Sequence, residues 1–147
     1  MNLREFIMRE EGTKRPSCLP LHHICYLDSA NVPTIGYGHT KTLTRADVGR
    51  LVIDEAQAQR LLEEDLIVPS AASQALGLTG PRYVAIASFV YNLGIRALHG
   101  RQTQIARHLI NGNYDKAVAG MKRYVFAAGQ RSPGLIARRD REAALVN

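Results

Sequence analysis

The sequence contains no apolar run that approaches the roughly 20 residues needed to cross a bilayer. Its first residues, Met1 to Glu5, also lack the apolar stretch of a secretory signal peptide. Low-complexity tracts and internal repeats are absent as well. We therefore expect a soluble globular protein without an export signal of its own. Its 147 residues are enough for a single domain that can be divided into two lobes.

Cysteine is scarce, and both cysteines lie in one short segment. Cys18 and Cys25 are seven residues apart, with His22 and His23 between them. Three interpretations remain open: two free thiols, a disulfide that closes a short loop, and a zinc site made from all four residues. The cramped spacing matches no familiar zinc motif, which favours the first two.

Acidic residues are scarce in the last third of the chain. From Arg96 onward there are ten Lys and Arg residues against three Asp and Glu, whereas the part before Arg96 has nine against ten. The net charge of +6 is therefore concentrated toward the carboxyl end. Such a surface attracts polyanions, whether nucleic acid, anionic lipid or an acidic wall polymer. The charge indicates the sign of a partner but not its identity.

Hydrophobic periodicity predicts a mainly helical α+β protein. One predicted helix has a capping-box pattern formed by Asp54 and Gln57 and must end before Pro69, and we interpret it as a connection between two lobes. Another is apolar nearly all round, which is typical of a helix buried in a bundle. The predicted helices are Leu3–Glu11, Asp54–Leu66, Pro81–Asn92, Thr103–Ile110, Tyr114–Val125 and Leu135–Val146.

One β-hairpin is predicted, near the amino end. Its strands would be Ile24–Leu27 and Val32–Thr40, joined by the turn-forming residues 28–31. Strict alternation would place Gly36 and Gly38 on one strand face, together with Thr34 and Thr40. Glycines on such a face leave room for a flat substrate such as a sugar chain. No strand is expected beyond this region.

Two acidic positions have the residue types that glycosidic bond cleavage requires. Glu10 and Glu11 fall in the last turn of the first helix, where the helix dipole disfavours negative charge and each carboxylate repels the other. Protonation is therefore favoured there, as a general acid needs. Asp28, in an exposed turn, is expected to remain ionised and to hold a water or form an ester. The Thr34 hydroxyl is placed to orient a water.

Several motifs resemble those of the phage-type lysozymes (endolysins) of glycoside hydrolase family 24. The resemblance covers nearly the whole chain and implies a lysozyme-like fold. That fold would have a hairpin lobe over about 12–55, a connecting helix over about 54–68, a helical lobe over about 70–147 plus the first helix, and a cleft between the lobes. The matching motifs are Arg9–Gly12, Tyr26–Ser29, Val32–Thr40, Ser88–Gly94 and Gly134–Arg139 with Glu142.

The resemblance implies hydrolysis of the β-1,4 bond between N-acetylmuramic acid and N-acetylglucosamine in peptidoglycan, without a cofactor or a metal. By motif position the catalytic acid is Glu11, although helical periodicity alone would place Glu10 nearer the buried face. Asp28 and Thr34 would position the attacking water, and the reaction would invert the anomeric centre. The implied substrate contacts are Tyr91 and Asn92, and the predicted glycine face of the strand adds Gly36.

Two supporting interactions are also implied by the resemblance. His39 would pair with Asp65 on the connecting helix. Arg138 or Arg139 would approach Glu10 and Glu11 and favour their charged forms, which opposes the effect of the helix dipole.

The chain departs from the family pattern at two places. Family members usually have the glutamate and the aspartate nine residues apart, whereas Glu11 and Asp28 are seventeen apart. The additional residues fall within Arg15–Cys25, which can be read as a simple excursion, a lid or a redox-sensitive gate. Tyr124 stands where the family often has tryptophan.

A phage endolysin would remain in the host cytoplasm until a holin opens the membrane, and would then act on the cell wall from the periplasm. We expect a monomer whose weak attraction to the anionic envelope declines as salt rises. A sugar-binding or structural protein that has lost its active site is one alternative. A basic nucleic-acid binder is the other, and it predicts a duplex gel shift that we do not expect.

Overall fold

The structure, a computed structural model, describes all 147 residues. The chain forms two compact units, one of residues 4–65 and one of residues 1–3 with 66–147. The helices are α1 (Leu3–Glu10), α2 (Glu55–Asp65), α3 (Ile67–Ala75), α4 (Gly80–Leu93), α5 (Ile105–Ile110), α6 (Tyr114–Met121) and α7 (Pro133–Val146). The strands are β1 (His22–Ile24), β2 (Tyr26–Leu27), β3 (Pro33–Thr34), β4 (Val52–Asp54), β5 (Phe126–Ala127) and β6 (Gln130–Arg131). Short 3-10 helices span Arg45–Asp47 and Ile95–His99.

The unit of residues 4–65 contains two small antiparallel pairings instead of the single predicted hairpin. Strand β1 pairs with β4, and β2 pairs with β3. The predicted strand Ile24–Leu27 is divided at Cys25, whose N–H donates to the Leu51 carbonyl. The part before Cys25 therefore pairs with β4 as β1, and the part after it pairs with β3 as β2. Strand β4 was not predicted, because its three residues merge into the start of α2.

The prediction of a continuous strand over Val32–Thr40 is wrong. Residues 36–38 form a tight turn closed by a bridge between Ile35 and His39. Gly36 and Gly38 have φ angles of 64° and 89°, which lie in the left-handed region that favours glycine. The predicted alternation of a strand face is therefore absent at these glycines, and a Cβ added to Gly36 would lie 3.3 Å from the Cβ of Ala58 in α2.

The capping box predicted at the start of α2 is present. The backbone N–H of Gln57 donates to Asp54 Oδ1 at 2.7 Å, and the N–H of Asp54 donates to Gln57 Oε1 at 2.9 Å. The helix ends at Asp65, and α3, which was not predicted, begins two residues later. Pro69 occupies the first turn of α3, where a missing N–H costs no intrahelical bond.

The second unit packs around α4, and the prediction of a buried helix is confirmed. Residues 84–90 are all buried. Four of them pack with apolar side chains from α5, α6 and α7: Ala85, Ile86, Phe89 and Val90. The hairpin of β5 and β6 was not predicted. Residues 126–131 are all exposed, so their sequence has no alternation of apolar and polar residues to indicate strands. None of the helices combines the length and the apolar character required to traverse a membrane.

Candidate active site

Glu11 directly follows the last residue of α1. Its N–H donates to the Ile7 carbonyl at 2.9 Å, so the helical bonding continues to this residue, and the side chain is half-buried. The next carbonyl, that of Gly12, accepts a hydrogen bond of 3.0 Å from the Tyr26 hydroxyl. The end of α1 is thereby attached to strand β2.

Asp28 occupies the turn between β2 and β3. Its Oδ1 accepts the backbone N–H groups of Ala30 and Val32, each at 2.9 Å. The Asp28 N–H donates to the Val32 carbonyl at 3.0 Å. Carboxylates in turns commonly make such local bonds, and here they fix the orientation of the side chain. Its second oxygen, Oδ2, receives no hydrogen bond from the protein and can accept one from a water.

Thr34 is only 3% exposed. Its hydroxyl donates to the Val32 carbonyl at 2.9 Å, the same carbonyl that accepts the Asp28 N–H. Because its proton is committed, the hydroxyl can only accept a hydrogen bond from a water. This hydrogen bond links Thr34 to the turn that carries Asp28. The link does not depend on whether the Thr34 hydroxyl also contacts a water.

Tyr26 lies close to both acids of the predicted pair. Burial raises the pKa of the Tyr26 phenol, and the negative charges of Glu11 and Asp28 raise it further. The charges of Glu11 and Asp28 therefore both act on the Tyr26 phenol, although seventeen residues separate the two acids in the sequence.

The predicted pair of His39 and Asp65 is present. His39 Nδ1 lies 2.7 Å from Asp65 Oδ2, and both side chains are largely buried. The ammonium of Lys41 lies 3.2 Å from the other carboxylate oxygen. This contact joins the turn at residues 36–38 to the end of α2.

A second polar cluster, centred on Glu55, was not predicted. Tyr37 donates to Glu55 Oε1 at 2.5 Å, and the fully buried His23 places Nε2 2.6 Å from Oε2. Gln59 and Arg15 also donate to this carboxylate. Burial acts to raise the pKa of Glu55, but the hydrogen bonds from Tyr37, Gln59 and His23 and the charge of His23 together lower it to about 2.

The segment Arg15–Cys25 is therefore held by specific contacts. His23 and Ile24 belong to β1, and Arg15 Nη2 lies 3.3 Å from Glu55 Oε2. Cys18 is exposed, Cys25 is buried, and both are free thiols. Burial raises the pKa of the Cys25 thiol, and the backbone N–H of Thr34 opposes this by donating to the sulfur.

Arg138 and Arg139 surround Glu142 inside the helical unit. Glu142 is fully buried, and its Oε1 accepts from the Ser88 hydroxyl at 2.7 Å and from Arg138 Nε at 3.3 Å. Arg139 Nε lies 2.9 Å from Oε2. Burial raises the pKa of Glu142, while the charge of Arg139 and the Ser88 hydrogen bond act to lower it. The spacing of three and four residues on one helix was the available signal for this cluster.

Three further predicted residues, Tyr91, Asn92 and Tyr124, lie in the unit of residues 1–3 and 66–147. Tyr91 and Asn92 are in the last turn of α4, and Asn92 Oδ1 accepts from Arg139 at 2.8 Å. Tyr124 makes an edge-to-face contact with Phe89, with ring centroids 5.5 Å apart, so an aromatic contact is present there. The approach of Arg138 or Arg139 to Glu10 and Glu11 stays a prediction.

Comparison with known proteins gives one consistent result. The sequence model described as phage lysozyme matches residues 20–142. The chain is 34% identical over 139 residues to the SAR-endolysin of Escherichia phage Mu, covering 90% of this chain and 78% of that protein. It is 32% identical over 143 residues to the endolysin of Salmonella phage P22, covering 95% and 90%. Its structure is similar to that of the endolysin from Escherichia coli O157:H7 phage FAHEc1, with a TM-score of 0.77, 27% identity, and coverage of 99% and 93%.

Proposed function

Because the chain belongs to the phage lysozyme family, as its motifs predicted, we propose that it cleaves peptidoglycan as a phage endolysin. The bond cleaved is the β-1,4 linkage between N-acetylmuramic acid and N-acetylglucosamine, and the result is lysis of the host cell. A holin would give the enzyme access to the wall from the cytoplasm. The enzyme would act as a monomer.

In this proposal Glu11 is the general acid and Asp28 holds the water. The observation that supports it is that the Tyr26 hydroxyl bonds to Gly12, next to Glu11, while the charges of both carboxylates raise the pKa of the Tyr26 phenol. Two carboxylates near one another are the minimum that glycoside hydrolysis requires. The free Oδ2 of Asp28 suits a water-holding role, since its partner Oδ1 is fixed by two backbone bonds.

Thr34 positions the water together with Asp28, and its hydroxyl also fixes the turn that presents Asp28. Its hydroxyl proton is used by the Val32 carbonyl, so any water it contacts must donate to it. Tyr91 and Asn92 remain proposed substrate contacts. Gly36 also remains a proposed substrate contact, although a Cβ added there would lie 3.3 Å from the Cβ of Ala58.

Product analysis of digested peptidoglycan tests this proposal. Hydrolysis of the muramic acid linkage gives fragments that end in reducing N-acetylmuramic acid, with one water added per bond. Early NMR spectra should show the α-anomer first, as inversion requires. Products that end in an anhydro sugar, or new amino groups from stem-peptide cleavage, would contradict the proposed reaction.

A further inference from the structure

Two adjoining hollows on the helical unit are lined by cationic side chains. The first, of about 310 Å³, is lined by Gly100, Arg101, Gln102, Thr103, Arg123 and Tyr124. The second, of about 260 Å³, shares Gln102, Thr103 and Arg123 with the first and adds His108 and Lys116. No carboxylate lines either hollow. The charged side chains of the lining itself are therefore all cationic or neutral, which favours an anionic ligand.

A buried hydroxyl in this double hollow has no hydrogen-bond partner. Thr103 is 9% exposed, and its Oγ1 is buried without a partner in the protein. Buried polar atoms are nearly always satisfied, so an exception invites an explanation such as an absent ligand. Gly100 borders the same space, since a Cβ there would lie 2.9 Å from Thr103 Oγ1 and 2.7 Å from the Tyr124 hydroxyl. Both distances are too short for a real Cβ, so the hydroxyls of Thr103 and Tyr124 lie directly against Gly100.

The guanidinium of Arg123 is held at the edge shared by the two hollows. Arg123 Nη2 donates to Gln102 Oε1 at 2.8 Å. This bond restricts the Arg123 side chain and leaves the other guanidinium N–H groups for a ligand. A guanidinium can bind two oxygens of one anion through parallel hydrogen bonds. Arg101 adds a second guanidinium, and His108 and Lys116 add further cationic groups.

We propose that this double hollow is a binding site for a phosphate monoester, separate from the Glu11–Asp28 site. A phosphate monoester carries close to two negative charges at neutral pH and three terminal oxygens. It can therefore engage Arg123, Arg101 and the Thr103 hydroxyl together, whereas a carboxylate has only two oxygens. The phosphate can belong to a soluble ester or to an envelope lipid, because both present the same group.

Titration of the protein with inorganic phosphate, followed by amide NMR at constant ionic strength, tests the site. Saturable shifts should concentrate at the amides of residues 100–103 and 123. Thr103→Val, which removes the hydroxyl at nearly constant volume, and Arg123→Gln should each weaken binding about tenfold. Arg107→Gln removes an exposed charge from the same unit outside both hollows and should leave binding as in the wild type. Unsaturable shifts spread over the surface, equal binding of acetate, or equal losses in all three variants would overturn the proposal.

Vesicles identify the source of the phosphate. Co-sedimentation with phosphatidylcholine vesicles that contain phosphatidic acid, lost in Arg123→Gln, would support a lipid phosphate. Phosphate binding without co-sedimentation would support a soluble ester. Glu11→Gln should bind phosphate like the wild type, so this test and the test of hydrolysis can fail independently.

Discussion

At the scale of single residues, the site depends on a few hydrogen bonds with defined donors. The backbone of Val32 joins Asp28 to Thr34. Its N–H donates to the Asp28 carboxylate, and its carbonyl accepts from the Thr34 hydroxyl. Tyr26 bonds to Gly12, next to Glu11. The motif identified these residues, but their donors and acceptors could not be read from the sequence, since they depend on turn geometry.

Tyr26→Phe tests the attachment of α1 to β2. The variant removes the hydroxyl that bonds to Gly12 but keeps the ring, so we expect unfolding free energy to fall by about 1 kcal/mol. Hydrolysis should also slow under conditions where the variant is fully folded. The reason is that the lost bond to Gly12 no longer fixes the position of Glu11. Denaturant unfolding and initial rates on purified peptidoglycan measure the two effects. Wild-type rates at a temperature where the variant is fully folded would contradict the positioning role.

Glu142→Gln tests the buried ion cluster. The change takes away the carboxylate charge that Arg138 and Arg139 share, and disruption of a buried pair typically costs about 3–5 kcal/mol. Urea unfolding should show a loss of this size. Asp140→Asn is the matched control, because Asp140 is exposed and makes only a surface pair with Lys122, worth at most about 1 kcal/mol. Similar losses in both variants would show that the cluster is not important for stability.

At the scale of secondary-structure elements, long helices were easier to predict than short strands. The run 84–90 is buried over about two turns, and the observed α4 agrees with the prediction. Strands of two or three residues provide too few positions for alternation. At residues 36–38, positive φ angles at two glycines replaced the predicted strand by a turn.

Gly36→Ala tests whether this turn packs against α2. An alanine there must adopt a φ near 64°, and its Cβ would lie 3.3 Å from the Cβ of Ala58. Gly49 is the matched control, with a φ of 74° and nothing within 4 Å of an added Cβ. Each alanine variant should lose about 1–2 kcal/mol from the left-handed backbone, and Gly36→Ala should lose more. Equal losses in thermal or urea unfolding would contradict the packing role.

The Glu55 cluster joins β1, the turn at Tyr37 and α2, and it predicts a pH dependence of stability. The pKa of Glu55 is lowered from 4.5 to about 2 in the folded state. A lowered pKa means that the charged carboxylate stabilises the fold above pH 4.5, and that this contribution is lost as the pH falls toward 2. The difference in unfolding free energy between wild type and Glu55→Gln should therefore be largest near neutral pH and shrink over this interval. If the difference in unfolding free energy stays constant or grows on acidification, the charged Glu55 carboxylate does not stabilise the fold as we expect.

At the scale of the whole molecule, the sequence was sufficient for the family and the fold class. The motifs are spread over nearly the entire chain, and the family model matches residues 20–142. What the sequence could not show was how the Arg15–Cys25 segment is accommodated. It is held through His23 and Arg15 against Glu55, which are long-range contacts with no local signature.

The molecule also has an uneven charge that the hydrolytic site does not use. Ten of the nineteen cationic residues lie from Arg96 onward, and part of that charge lines the two hollows beside Thr103. Attraction to an anionic envelope should weaken with salt, whereas the proposed phosphate site should keep a saturable component.

The central claim is that the carboxyl group of residue 11, and not that of its neighbour, donates the proton. The measurement is the initial clearing rate of chloroform-treated Gram-negative cells by wild type, Glu11→Gln and Glu10→Gln, each shown to be folded by circular dichroism. Loss of a general acid typically costs 10²–10⁴-fold in rate, so Glu11→Gln should lose at least about 100-fold, while Glu10→Gln should retain most of the rate. Clearing by Glu11→Gln at the wild-type rate, or loss of clearing in Glu10→Gln alone, would contradict the account.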